Sequence, residues 1–168
     1  VRRLKENYFG SDGDTLASLV IHLLQKRNET ISIAESCSGG RLGAAITAIP
    51  GASEVFLGGV LAYNNSIKEQ ILGVPATVIK NEGAVSSLTV KAMAKGVKNN
   101  FGTNWGVAIS GVAGPSGGTN KKPVGLVFIG IAGDNLNESI KVNFGNKKER
   151  QEIQQLSVLR SLDFLRLF

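Results

Sequence analysis

The sequence predicts an α/β fold: a three-layer α/β/α sandwich around a mixed, mostly parallel central sheet. Two observations predict it. Strand-like runs alternate with runs of helical periodicity, the pattern of crossover connections between parallel strands. Near the C-terminus, two strand-like runs are separated only by Gly133-Asp134-Asn135, a hairpin that adds antiparallel pairing. The chain of 168 residues has the length of one compact domain, placed at residues 14–168.

Residues 1–13 are polar, charged and glycine-containing, and read as a linker. Asp14-Thr15 caps a helix that runs to Arg27. Residues 30–34 alternate as a strand and stop at Glu35-Ser36-Cys37-Ser38-Gly39-Gly40. A helix over 41–48 follows and ends at Pro50-Gly51. Residues 55–63 are apolar and strand-like despite two glycines. Asn64-Asn65 turns the chain into a short helix over 66–72, stopped by Gly73 and Pro75. A loop at Asn81-Glu82-Gly83 precedes a helix opened by Ser86 and running through Asn99. Residues 105–109 read as a buried strand leading to the glycine-rich loop 111–118. Residues 124–132 and 139–144 form the hairpin, and 147–167 is a last amphipathic helix.

Composition removes several kinds of chemistry. The hydrophobic content of 42% suffices for a core. No apolar run approaches the roughly 20 residues that span a bilayer. The charged start at residues 1–5 has no apolar segment behind it, so no secretory signal is read there. Cys37 is the single cysteine, which forbids an internal disulfide and suits a reducing cytoplasm. With one cysteine and one histidine, no Cys/His zinc cluster can form. His22 lies inside an amphipathic helical stretch and reads as structural, so a catalytic base must be Lys, Tyr, Asp or Glu. The net charge of +6 comes from scattered lysines, with no basic stripe among aromatics, which disfavours a nucleic-acid partner.

Three segments carry candidate chemistry. Ser36 leaves a strand at the carboxyl edge of the sheet, where open α/β folds bind ligands. The amides after it lie at a helix start and can hold an anion or a developing oxyanion. Gly39 and Gly40 allow close approach to the main chain. An ordinary N-cap role for Ser36 or Ser38 stands beside this reading, Cys37 is a rival nucleophile, and Glu35 either orients a site group or caps locally. Tyr63 ends a strand and Lys68 follows on the next helix. A serine without a histidine can be activated by a neutral lysine, or by a tyrosine backed by one. A surface lysine and a strand-end tyrosine are the plainer alternative. The loop from Gly111 to Gly118 fits neither a phosphate loop nor a dinucleotide fingerprint. Its amides could still cradle a phosphate or carboxylate, with Ser110, Ser116 and Lys122 nearby, or it is simply a tight connection.

Taken together, the segments resemble the C-terminal domain of the CinA family, the nicotinamide-nucleotide amidases. The matching motifs are Glu35-Ser36-Cys37-Ser38-Gly39-Gly40, Gly58-Gly59-Val60-Leu61-Ala62-Tyr63 with Lys68, Gly83-Ala84-Val85-Ser86, and Ser110-Gly111-Val112-Ala113-Gly114-Pro115-Ser116-Gly117-Gly118 with Lys122-Pro123-Val124-Gly125. Serine stands at 38 and 110 where the family has threonine, which keeps the hydroxyl. Gln154 stands where the family has a second arginine. The resemblance implies hydrolysis of nicotinamide mononucleotide to nicotinic acid mononucleotide and ammonia, without metal or cofactor. It implies Ser36 as nucleophile, with Tyr63 and Lys68 in support. It also implies a pocket shaped by Cys37, Ser38, Gly39, Gly40, Ser110, Gly111, Ala113, Gly114, Pro115, Gly117, Gly118, Lys122 and Arg150. A non-catalytic nucleotide-binding or regulatory domain is the alternative. A homo-oligomer is expected. Val1 in first place and the linker-like start suggest a C-terminal piece whose N-terminal domain is absent.

Overall fold

A computed structural model describes residues 15–168. The proposed linker, and Asp14 as part of the first cap, lie outside the described residues. Helix α1 (Leu16–Arg27) opens on Thr15, whose hydroxyl accepts from the Ser18 amide while Ser18 caps back, a reciprocal box that satisfies two helix-end donors. Strand β1 (Ile31–Glu35) is buried at every residue. Then come α2 (Arg41–Thr47), a short 3₁₀ turn (Ala52–Glu54), β2 (Phe56–Leu61), α3 (Asn65–Gln70), α4 (Ala76–Glu82) and α5 (Ser87–Phe101). The chain continues through β3 (Trp105–Gly111), β4 (Leu126–Ala132) and β5 (Asn137–Asn143) to α6 (Arg150–Leu165).

The strands form one sheet in the order β2-β1-β3-β4-β5. Pairing is parallel between β1 and both of its neighbours and antiparallel from β3 through β4 to β5. Helices α1, α2 and α6 cover one face and α5 lies on the other, which gives the three layers.

The two faces are built differently. Toward α1, α2 and α6 the strands present large aliphatics, among them Ile33, Val107, Ile109, Ile129 and Ile131. Each contributes roughly 1.5–3 kcal/mol when fully buried. Toward α5 the same strands present Ala34, Gly106, Ala108 and Gly130, so the helix rests almost on the sheet backbone. A Cβ on Gly106 would meet the Ala94 carbonyl oxygen at 2.1 Å, and one on Gly130 the Val90 carbonyl oxygen at 2.4 Å.

Helix α4 departs from the sequence reading, which ended the preceding helix at Gly73 and Pro75 and read 81–83 as a loop. Thr77, Val78 and Ile79 are β-branched and weaken helical propensity. Pro75 nonetheless suits a helix start, because its missing N–H is one the first turn would leave unpaired. The last helix begins at Arg150 rather than 147, and β5 at Asn137 rather than 139.

Within α5, a Cβ on Gly96 would stand 1.9 Å from the Leu72 carbonyl oxygen. An exposed helical glycine gains about 1 kcal/mol on conversion to alanine. Here the added methyl forces backbone apart, so Gly96→Ala is expected to cost roughly 1–3 kcal/mol, measured as a lowered urea midpoint.

Candidate active site

The carboxyl edge of β1 is organised by Glu35. The pleat sends its side chain toward α2, where it is 3% exposed. Its carboxylate accepts from three amides of the α2 start: Gly40 and Leu42 at 3.1 Å each, and Gly43 at 2.8 Å. These are donors with no intrahelical partner, at the positive end of the helix. Glu35 is therefore the internal cap of α2, one of the two roles left open for it by the sequence. It also occupies the amides that the sequence reading offered, in part, to an oxyanion.

The ladder continues one residue further, with the Ser36 amide donating to Ile109 O at 3.0 Å. Ser36 consequently takes the opposite side of the pleat from Glu35, the side that carries α5. In the turn that follows, Gly39 N–H donates to Ser36 O and Arg41 N–H to Ser38 O. Among the described residues of the segment 36–43, the amides of Cys37 and Ser38 donate to no backbone oxygen, and that of Cys37 lies against its own thiol. Ser38 is fully buried, and its hydroxyl has no hydrogen-bond partner. It is not a helix cap: Gly40 holds that position on α2, without a side-chain bond.

Cys37 belongs to the core packed under α2 and α6. Burial pushes its thiol from an ordinary 9.0 up to about 12, outweighing the pull of Arg150 and Lys68. A thiol held there is protonated at neutral pH and is a poor nucleophile. Its carbonyl accepts from Gln154 Nε2 at 2.8 Å, so α6 clamps the serine turn from behind. Sequence reading noted Gln154 only as a departure from the family arginine. Its position one turn after Arg150 was the available signal.

Lys68, the second candidate, is buried to 1% exposure. Its amine donates to Ala62 O at 2.7 Å and to Tyr63 O at 3.4 Å. No carboxylate pairs with it among the described residues. Burial lowers its proton affinity below the ordinary lysine value of 10.5. Ala62 N–H in turn donates to Glu35 O at 2.7 Å, which ties the lysine's anchor to the residue before Ser36.

Tyr63 is 63% exposed, and its phenol faces Arg150 rather than Lys68. Arg150 Nη2 donates to the phenol oxygen at 3.0 Å and Nη1 to Gly114 O at 2.7 Å, so one guanidinium joins β2's end, the glycine loop and α6. In that loop Ala113 and Gly114 are buried, whereas Pro115, Ser116, Gly117 and Gly118 form an exposed rim. Gly114 has φ +77°, and a Cβ there would meet Val124 at 2.6 Å, so both conformation and space call for glycine.

Two of the predicted pocket residues have partners within the chain. Ser110 Oγ donates to Ala84 O at 2.7 Å, and Lys122 Nζ donates to Glu82 O. They fasten the loop to the Gly83-Ala84-Val85-Ser86 segment, where Ser86 caps α5. His22 is exposed on α1, apart from the site.

A mixed α/β sheet with a serine turn, a buried lysine and an arginine-held glycine loop at one strand edge defines a CinA-type domain. The model of the CinA C-terminal domain matches residues 13–168, and the chain belongs to that family. A CinA-like protein of Prochlorococcus marinus is 59% identical over the whole chain, which covers 40% of that relative. A CinA-like protein of Synechocystis is 50% identical over 95% of the chain, which covers 39% of it. The chain thus spans about two fifths of these relatives. The structure of the competence/damage inducible protein CihA from Agrobacterium tumefaciens superposes with a TM-score of 0.89 at 34% identity, covering 96% of this chain and 98% of that one. The CinA superfamily protein of Escherichia coli gives 0.87 at 26% identity, covering 98% of both chains. No described helix is long and apolar enough to cross a membrane.

Replacing Glu35 by glutamine keeps the volume but discharges the acceptor and turns an amide N–H toward the helix donors. Hydrogen bonds to a charged group are worth about 1.5–3 kcal/mol. Glu35→Gln is expected to lose at least that much stability by chemical denaturation.

Proposed function

We propose that this domain hydrolyses the carboxamide of nicotinamide mononucleotide to nicotinic acid mononucleotide and ammonia, with Ser36 as nucleophile and Lys68 as base. The substrate comes from the family resemblance. The mechanism rests chiefly on Lys68, an amine fully buried with carbonyl oxygens as its partners. A neutral lysine has two N–H donors and one lone pair. Two carbonyls occupy the donors and leave the lone pair to accept a proton. A carboxylate in their place would have held the ammonium form.

Ser36 Oγ attacks the carboxamide carbon, and its proton passes to the Lys68 amine. The amide of Ser38 is the donor best placed to be open to the developing oxyanion; one such donor typically contributes ~10²–10³ in turnover. The tetrahedral species collapses as the C–N bond breaks, and the nitrogen leaves as ammonia with the proton returned by Lys68. Water then adds to the Ser36 ester with Lys68 again accepting a proton, which it returns to Ser36 Oγ as the acid is released. Tyr63, held by Arg150, lines the nucleotide side rather than relaying protons, because its phenol is engaged with the guanidinium.

Ammonia release from nicotinamide mononucleotide tests this directly. Ser36→Ala is expected to abolish it, while Cys37→Ala keeps it within a few-fold. Lys68→Met is expected to lose ~10²–10⁴. Nucleotide binding by the wild type with no ammonia formed would instead favour a regulatory domain.

The lowered proton affinity of Lys68 also makes two pH predictions. The rate rises with pH as the amine loses its proton, with an apparent pKa below 10.5, and Lys68→Met lacks that limb. Between the folded value and the ordinary one, the unfolded chain holds a proton that the folded chain does not. Stability therefore rises with pH across that window and falls on acidification. In Lys68→Met that slope is expected to disappear from denaturation curves taken across the window.

A further inference from the structure

Residues 36–39 form a β-turn, closed by the Gly39 amide donating to Ser36 O at 3.2 Å. The peptide between Cys37 and Ser38 is the middle one of that turn. Its orientation is what separates one turn type from another, and closing the turn does not by itself fix it. Ser38 is not among the residues with positive φ, which excludes the flipped, type II form. What freedom remains is a rocking of the peptide plane about its two Cα atoms.

Gln154 is placed to remove that freedom. It lies one turn after Arg150 on α6 and is buried. Its Nε2 donates to Cys37 O at 2.8 Å, and it packs against Gly39, where an added Cβ would stand 3.5 Å from the same nitrogen. In a planar trans peptide the carbonyl and the N–H point in opposite directions. With Cys37 O turned to α6, the Ser38 N–H is turned away from it, toward the side of the sheet that Ser36 takes. That N–H donates to no backbone oxygen. A donor on the carbonyl also polarises the peptide and strengthens its N–H.

We propose that Gln154 is a positioning residue for the hydrolysis: through Cys37 O it aims the Ser38 N–H at the oxygen of the tetrahedral species formed on Ser36. This role rests on Ser36 being the nucleophile, and it gives Gln154 no contact with substrate. A clamp that only stiffened the turn would serve the resting and the reacting protein equally. One that aims the N–H contributes once charge develops on the substrate oxygen. Its loss therefore falls on kcat rather than on KM.

Ammonia release from nicotinamide mononucleotide is measured for the whole chain and three variants. Gln154→Met fills the space without a donor, Gln154→Asn leaves the amide one methylene short, and Gln154→Arg restores a long donor. The methionine and asparagine variants are expected to lose ~10–100-fold in kcat, less than the ~10²–10³ of deleting an oxyanion donor outright. Their KM should stay within about two-fold of wild type, and the arginine variant should recover most of the rate. A second assay needs no nucleotide. A fluorophosphonate bonds through phosphorus to Ser36 Oγ, the serine proton passing to Lys68 as fluoride leaves, and its oxygen calls on the same donor. Intact mass should show labelling of the wild type, slower labelling in the same order among the variants, and none in Ser36→Ala. Unchanged kcat and labelling rate in the methionine or asparagine variant, even at a lowered melting temperature, or an arginine variant as slow as the methionine one, would overturn the proposal. If the wild type labels but frees no ammonia, the substrate assignment fails while the labelling rates still decide the role of Gln154. If it does neither, Ser36 is not the nucleophile and the role of Gln154 falls with it.

Discussion

The Glu35 carboxylate, set on the three amides of α2, is the constraint on which the rest of the site depends. It fixes the angle at which the chain leaves β1 and enters the helix. Ser36 is the adjoining residue, so its side of the pleat is decided by where Glu35 goes. The same residue's carbonyl holds Ala62, and Ala62 holds Lys68. Ser36 and Lys68 are thereby joined through a single residue, Glu35. A charge here is stable because the helix end supplies what water would have supplied. The amides of Gly40, Leu42 and Gly43 are consequently closed to any other anion.

Electrostatics around the turn separates two groups that look alike in sequence as reactive candidates. Cys37 and Lys68 are both buried, and burial disfavours the charged form of each. For the thiol that means remaining protonated and inert. For the amine it means holding its proton less tightly. One physical cause thus moves the two groups in opposite directions.

Most of the layered fold was legible because alternation and helical periodicity are local signals. The strand runs, the Ser86 cap and the late hairpin needed no tertiary information. Helix α4 was not legible, since its β-branched residues hide a helix held by packing against α5. In the candidate site, Ser36, Lys68 and Arg150 were singled out through motif and position. What could not be read was direction. Nothing local tells that Tyr63 turns to Arg150, that Lys122 is spent on a helix-end carbonyl, or that Glu35 points to α2. Gln154 meets the serine turn across more than a hundred residues, a contact that only the folded chain creates.

The unequal faces of the sheet carry a consequence for how this domain can change over evolution. Where aliphatic side chains interlock under α1 and α6, a lost methylene in one can be offset by a gain in its neighbour, so that layer can drift through paired replacements. Where α5 rests on alanine and glycine, the opposing surface is main chain, which has no compensating move. Adaptation to a new substrate or temperature is therefore channelled into one half of the molecule, while the other is held to a fixed template.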